Sequence, residues 1–247
     1  MKPVRARQAA SAGVTLAVAV AGVVALESGV GAASAAPTGI EVMTVFRSGA
    51  ASSRTIGSMG VRVRVGHKRC AVPAGSPLAA LVRSRPGAIG LADFGSCSRR
   101  SGDASGLFVR SIRSDRNRGH NGWVYKVGHK QATAGAGDPS GPFGRGRLRA
   151  GQRVTWFYCL YSRGCQRTLE LRARSEDGGV LSVRVRGYDD TGRGATIEGA
   201  RVSAGGQAAA TDASGTARLR LAPGPHVVRA SKAGLVRSFG ERVTASP

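Results

Sequence analysis

Gly122-Trp123-Val124-Tyr125-Lys126-Val127, Gly135-Ala136-Gly137-Asp138 and Arg153-Val154-Thr155-Trp156-Phe157-Tyr158 stand mid-chain in a protein in which only 5% of residues are aromatic. The first and third stretches read as alternating aromatic strands, and the second as a glycine-rich loop between them. The packed sheet and a usable surface are therefore expected to meet here. Residues two apart on a strand share a face, so Trp123 and Tyr125 point one way together, as do Trp156 and Tyr158. One reading makes one of these pairs core, at about 2 kcal/mol or more per buried ring. The other lets Trp123 or Tyr125 meet a flat ligand at the hairpin edge.

Working outward, 40–47, 59–66, 89–94 and 107–112 also read as strands, and the closing aromatic strand is expected over 153–160. Ser76-Pro77-Leu78-Ala79-Ala80-Leu81-Val82-Arg83 reads as a short helix with Ser76 as its cap and Pro77 in the first position, where a missing N–H costs nothing. Leu78, Leu81 and Val82 share a face and should pack on the sheet. One short helix on a mixed sheet is an α+β module.

All four cysteines, Cys70, Cys97, Cys159 and Cys165, and both tryptophans precede residue 170. From about residue 179 the texture changes to Val/Arg alternation broken by turn formers such as Asp189-Asp190-Thr191-Gly192, Gly205-Gly206, Asp212-Ala213-Ser214-Gly215 and Pro223-Gly224-Pro225. Short strands are expected at 180–188, 200–204, 207–211, 217–221, 226–230 and 237–243, which makes an all-β sandwich. Glu176-Asp177-Gly178-Gly179 is the natural linker or tight turn between an α+β domain over 38–175 and this sandwich over 179–247.

The N-terminus carries Lys2, Arg5 and Arg7, an apolar run from Val14 to Leu26, and Ala32-Ala33-Ser34-Ala35-Ala36 before Pro37. That order is a secretory signal peptide over 1–35 with Ala33-x-Ala35 at the cleavage site. The apolar run falls short of the about 20 residues a membrane span needs. Cleavage would remove three positive charges and one negative from a chain of net charge +23, leaving +21. A secreted or surface-associated location follows, and the even cysteine count there argues for two disulfides out of three possible connectivities. Cys159 and Cys165 flank a short loop that a bridge could staple, which leaves Cys70 for Cys97. A zinc site lacks the CxxC spacing, and no metal is expected.

The arginines are spread along the chain and many alternate with apolar residues, as in Val61-Arg62-Val63-Arg64-Val65, which puts them on the wet face of strands. They read first as a solvated face, and second as a means of attraction to anionic cell-wall polymers or a membrane surface. Nucleic acid is the least favoured partner, since secretion removes it and no recognition motif is present.

With these residues in place, 40–160 resembles the family of bacterial secreted domains similar to the C-terminal β-domain of transcobalamin and intrinsic factor, a β-grasp-like module. The resemblance rests on the opening strands, the Pro77–Val82 helix, Phe108-Val109-Arg110-Ser111-Ile112, the Trp123 strand, the Gly135–Asp138 loop and the Trp156 strand, in that order. Family members follow the tryptophan strand with Asn-Gly, where this chain has Gly128-His129-Lys130. The second part resembles the carboxypeptidase regulatory-like, or prealbumin-like (Ig-like), domain through Gly199-Ala200-Arg201-Val202, Thr211-Asp212-Ala213-Ser214-Gly215, Leu219-Arg220-Leu221-Ala222-Pro223-Gly224 and Lys232-Ala233-Gly234. The first resemblance implies ligand contacts at Trp123, Tyr125, Gly135, Ala136, Gly137 and Asp138. It also implies a corrinoid such as cobalamin as ligand, with a separate helical-barrel protein covering the other face of the ring. The second implies a spacer or adhesive module.

No catalytic machinery is expected. His67, His120, His129 and His226 lie in turns or at strand ends, and no G-x-S-x-G elbow occurs. Asp93, Asp103, Asp115 and Asp138 neighbour glycine or serine in most cases and read as turn formers, and Glu170 completes no acid pair. Gly141 to Gly146 lacks the context and the Lys-Ser/Thr ending of a phosphate loop. The expectation is a non-enzymatic exported binding protein; the alternative is a structural or adhesive envelope protein held by arginine charge.

Overall fold

The computed structural model describes residues 38–162 and 164–246, and they belong to one compact unit. The signal-peptide reading of 1–35 lies outside the described residues. The protein is β-rich with one α-helix, and its strands fall into several sheets.

The first half opens with β1 (Ile40–Val45) and β2 (Ala51–Ile56), an antiparallel hairpin, followed by a second hairpin of β3 (Val61–Val65) and β4 (Lys68–Val72). Helix α1 (Pro77–Ser84) starts where the local chemistry places it. Ser76 Oγ accepts from Ala79 N at 3.2 Å, Pro77 occupies the first turn, and Arg85 ends the helix in the left-handed region. Leu78 and Leu81 are fully buried, so the expected apolar face does pack inward. Next, β5 (Ile89–Asp93), β6 (Leu107–Ile112) and β7 (Asp115–Arg116) form a small antiparallel sheet, with a 3-10 turn over Ser101–Ala104. Finally β8 (Gly122–Val127), β9 (Lys130–Gln131) and β10 (Arg153–Cys159) join the first hairpin in a five-stranded sheet of order β2-β1-β10-β8-β9. Within it β1 and β10 run parallel, with Val42 opposite Val154, while the other pairs are antiparallel, so the sheet is mixed.

The second half contains β11 (Thr168–Glu176), β12 (Val180–Tyr188), β13 (Gly194–Thr196), β14 (Arg201–Ala204), β15 (Gln207–Ala210), β16 (Thr216–Arg220), β17 (Gly224–Ser231) and β18 (Glu241–Ala245). β12 is flanked by β11 on one side and by β13 and β16 on the other, and a second sheet runs β15-β14-β17-β18. Leu169, Leu171, Leu181, Val183, Val185 and Leu219 from the first sheet share one buried cluster with Val202, Val228 and Ala230 from the second. Two sheets closing over a common apolar layer make a β-sandwich.

Two sequence expectations change. Glu176-Asp177-Gly178-Gly179 is a tight turn, with Gly178 and Gly179 at φ of 70° and 69°, but it joins two strands of one sheet. β11 pairs with β12 over its whole length, Thr168 opposite Tyr188 and Glu176 opposite Val180, so 168–176 hydrogen-bonds with the sandwich and not with the α+β half. The last strand begins at Glu241, later than the expected 237, because Val236 N donates to Arg167 O and Ser238 N to Ala230 O before pairing with β17 starts.

The halves meet across the face of the five-stranded sheet that points away from α1. Val236 packs there with Met43, Val45, Phe157 and Cys159. Arg153 spans the joint, with its Nε 2.6 Å from Glu41 and its other two nitrogens donating to both carboxylate oxygens of Glu241. Disulfides Cys70–Cys97 and Cys159–Cys165 close the expected pairs. Two disulfides are compatible with an oxidising compartment. No helix among the described residues is long and apolar enough to cross a membrane.

Candidate functional site

The alternation of β8 and β10 puts Trp123, Tyr125, Trp156 and Tyr158 on one face, and their register sets Trp156 beside Tyr125 and Tyr158 beside Trp123. All four are buried, at 7% exposure or less. So the sheet buries both pairs, where the sequence reading placed one pair in the core. Tyr125 and Trp156 stack with centroids 4.8 Å apart, and Trp123 meets Tyr158 and Phe46 edge-on at 5.9 and 6.1 Å, geometries that aromatic rings favour. Their polar ends are tied down. Trp123 Nε1 donates to Asp115 O, Tyr125 Oη to Ala134 O, and Tyr158 Oη to Arg116 O, each at 2.8 Å.

Trp156 differs: its indole N–H is buried with no hydrogen-bond partner. A donor left unpaired inside a protein carries its full desolvation cost, of about 1–3 kcal/mol. The Trp156 side chain lines a cavity of about 340 Å³ together with Trp123, Tyr125, Phe94, Phe108, Gly135 and Ala136. Volume and lining are those of a small-molecule site: mostly apolar walls with few polar groups.

Two aromatic rings of the lining open to solvent. Phe94 is 80% exposed and Phe108 43%, and their rings meet edge-on at 5.8 Å. Phe108 takes an outward position of β6, between buried Leu107 and Val109. An aromatic residue at a solvent-facing strand position was the one sequence signal that could have placed it in the site. Phe94 has no comparable signal, because Phe94 N donating to Gly106 O is what holds it beside Phe108.

The glycine loop forms the cavity's edge. A Cβ on Gly137 would lie 2.3 Å from Ala104 O, and one on Gly135 2.8 Å from Ser105 O, so the loop lies against the end of the 3-10 turn only because these residues lack side chains. Ala136 O accepts from Leu78 N at 2.8 Å, which satisfies a helix N-terminal donor. Of the six ligand residues the resemblance implies, Trp123, Tyr125, Gly135 and Ala136 line the cavity; Gly137 and Asp138 do not. Asp138 Oδ1 instead accepts from Ser140 N at 2.7 Å, the local turn bond that carboxylates before turns make. Burial, reinforced by the field of Asp138, pushes the Tyr125 phenol above its ordinary pKa, so it stays a neutral donor to Ala134.

Elsewhere the candidate acids are engaged. Hydrogen bonds from Lys68, Gly95 and Cys97 hold the Asp93 carboxyl below its ordinary pKa; bonds within their own turns do the same for Asp189 and Asp212. Arg47 N donates to Asp115 and Ser98 Oγ to Asp103. His129 stacks on Tyr188 at 3.7 Å with Nε2 3.3 Å from Glu170, and His226 Nε2 meets Ala222 O. Among the described residues no three His, Cys, Asp or Glu side chains gather as metal ligands. No family model, curated protein or solved structure matches the chain.

Proposed function

We propose that this is a non-enzymatic exported binding protein whose α+β half holds a planar, mostly apolar small molecule in the cavity under Phe94 and Phe108, with the sandwich as its spacer. The observation that carries the reading is the cavity of about 340 Å³ walled by Trp123, Tyr125 and Trp156 and rimmed by the solvent-open rings of Phe94 and Phe108. A ligand with a flat apolar body would pack against those rings. The two disulfides and the Ala33-x-Ala35 leader support export,. The order of motifs supports a transcobalamin-C-terminal-like, β-grasp-like module followed by a carboxypeptidase regulatory-like domain.

In its sharpest form the ligand is a corrinoid such as cobalamin. A corrin ring is too wide to be enclosed by about 340 Å³, so it would lie across Phe94 and Phe108 with an edge group entering the cavity. Its opposite face would remain open to a separate helical-barrel protein.

Both tryptophans of the chain line the cavity, so intrinsic fluorescence reports occupancy. Titration of residues 36–247 with cobalamin and with smaller planar heteroaromatics is expected to give saturable quenching. By calorimetry, Phe108→Ala should bind about tenfold more weakly, the value of one aromatic contact. No saturable signal at high-micromolar ligand would end this reading.

A further inference from the structure

One face of the sandwich carries charge that the cavity does not use. On β11, β12 and β16 the inward positions Leu169, Leu171, Leu181, Val183, Val185, Ala217 and Leu219 are buried. The intervening positions face water, and Arg172, Arg174, Arg184, Arg186, Arg218 and Arg220 are all exposed there. Registers place Arg172 directly opposite Arg184, Arg174 and Arg218 on either side of Ser182, and Arg220 opposite Val180. Like charges directly opposite in a sheet oppose its formation. Two carboxylates share the face, Glu170, directly opposite Arg186 and 3.7 Å from Arg172, and Glu176, 3.8 Å from Arg218, with the Arg172 and Arg218 side chains 83% and 71% exposed. Pairs that open to water contribute little.

We propose that this face docks a linear phosphodiester polymer of the kind that makes up anionic cell-wall material. Two-residue steps along a strand are about 6.8 Å and neighbouring strands about 4.8 Å apart, so the six guanidiniums form a band about 20 Å long. An extended chain of short polyol phosphates presents one negative charge per repeat at a comparable step. Each guanidinium fork matches a phosphate's oxygens, and a bound polyanion relieves the Arg172–Arg184 juxtaposition. The face's apolar residues stand at its two ends, Val180 at one and Tyr188, whose ring is stacked on His129 at 3.7 Å, at the other. That leaves no apolar cluster to enter a bilayer and no ring between the guanidiniums on which successive bases could stack. The docking is independent of the cavity, which belongs to the other half of the chain.

The test compares two charge-matched variants of residues 36–247 for binding to synthetic poly(glycerol phosphate) across a salt series. One is Arg172→Gln/Arg174→Gln/Arg184→Gln/Arg218→Gln; the control is Arg54→Gln/Arg62→Gln/Arg64→Gln/Arg69→Gln, four exposed arginines of β2, β3 and β4. The sandwich-face variant is expected to lose at least about tenfold in affinity and flatten the dependence on salt, while the control loses less than about threefold. If the quadruple variant misfolds, the Arg174→Gln/Arg184→Gln pair is expected to show the same ordering at smaller size. Equal loss in both variants would show diffuse attraction and overturn the proposal. So would tight binding to phosphatidylglycerol vesicles with none to the polymer.

Discussion

Lys126 Nζ lies 3.3 Å from the Asp190 carboxylate and donates to Tyr188 O at 3.1 Å, with none of its side chain exposed. The contact links β8 of the α+β half to the end of β12 and the turn that follows it. A buried cation is tolerated only while its partners remain. Asp190→Asn keeps an acceptor for Cys165 N, which now donates to Asp190 Oδ2 at 3.0 Å, but removes the counter-charge. Since Asp190 is 30% exposed, the expected cost is about 2 kcal/mol, below the range for a fully enclosed pair. Lys126→Met/Asp190→Asn should recover most of it. Urea midpoints of both variants check this, and a double variant no more stable than Asp190→Asn alone would refute it.

Burial, opposed by Asp190, holds the Lys126 ammonium below its ordinary pKa of 10.5. The unfolded chain therefore binds more protons at this site as pH approaches 10.5, and stability from it rises across that window. Tyr125 and Tyr188 work the other way. Folding raises their phenol pKa above 10.0, so their contribution is lost as pH climbs past that value. Comparing the wild type with Lys126→Met cancels the tyrosines. The wild type is expected to gain stability relative to the variant from neutral pH toward 10.5, measured by urea unfolding at several pH values. A difference that stays flat with pH would show that Lys126 is not desolvated.

What was legible in the sequence was local. Ser76-Pro77 announces α1 because a cap and a first-turn proline act within one turn, and the Trp-x-Tyr alternation announces β8 and β10 because period two needs no partner. β2, Ala-Ser-Ser-Arg-Thr-Ile, shows no buried position and exists because β1 pairs with it at the sheet's edge. β11 carried its signal in Leu169, Leu171 and Ala173, but a composition change at 176–179 concealed that it belongs to the sandwich. The cavity was legible only in part. Trp123, Tyr125, Trp156, Gly135 and Ala136 lie in the recognisable stretches, whereas Phe94 and Phe108 are brought together by contacts between separate segments.

The glycine loop gives a sharp contrast between two alanine substitutions. At Gly137 the new methyl would meet the backbone oxygen of Ala104 at 2.3 Å, and backbone cannot move aside cheaply. Gly137→Ala is expected to cost about 2–3 kcal/mol and to weaken binding in the neighbouring cavity. At Gly128, φ is +59° and the Cβ position is open, so only the left-handed backbone penalty of about 1 kcal/mol applies. Thermal melts and ligand titration of the two variants check the order. A Gly137→Ala protein as stable as Gly128→Ala would mean that the loop does not rest on the 3-10 turn.

The disulfides should differ in weight because they close loops of different length. Cys70 and Cys97 are 27 residues apart, and Cys159 and Cys165 only 6. Restricting the unfolded chain is worth about 3.5 kcal/mol for the longer loop and about 2.2 kcal/mol for the shorter. Cys70→Ala/Cys97→Ala also removes two side chains from the main core of the α+β half, where both are buried, which adds a packing loss. Cys159→Ala/Cys165→Ala touches the smaller cluster at the joint, where Cys165 is only partly buried. Urea unfolding is therefore expected to place the first double variant below the second by more than the difference in loop entropy. The reverse order would show that the joint between the halves, rather than the core beneath α1, limits stability.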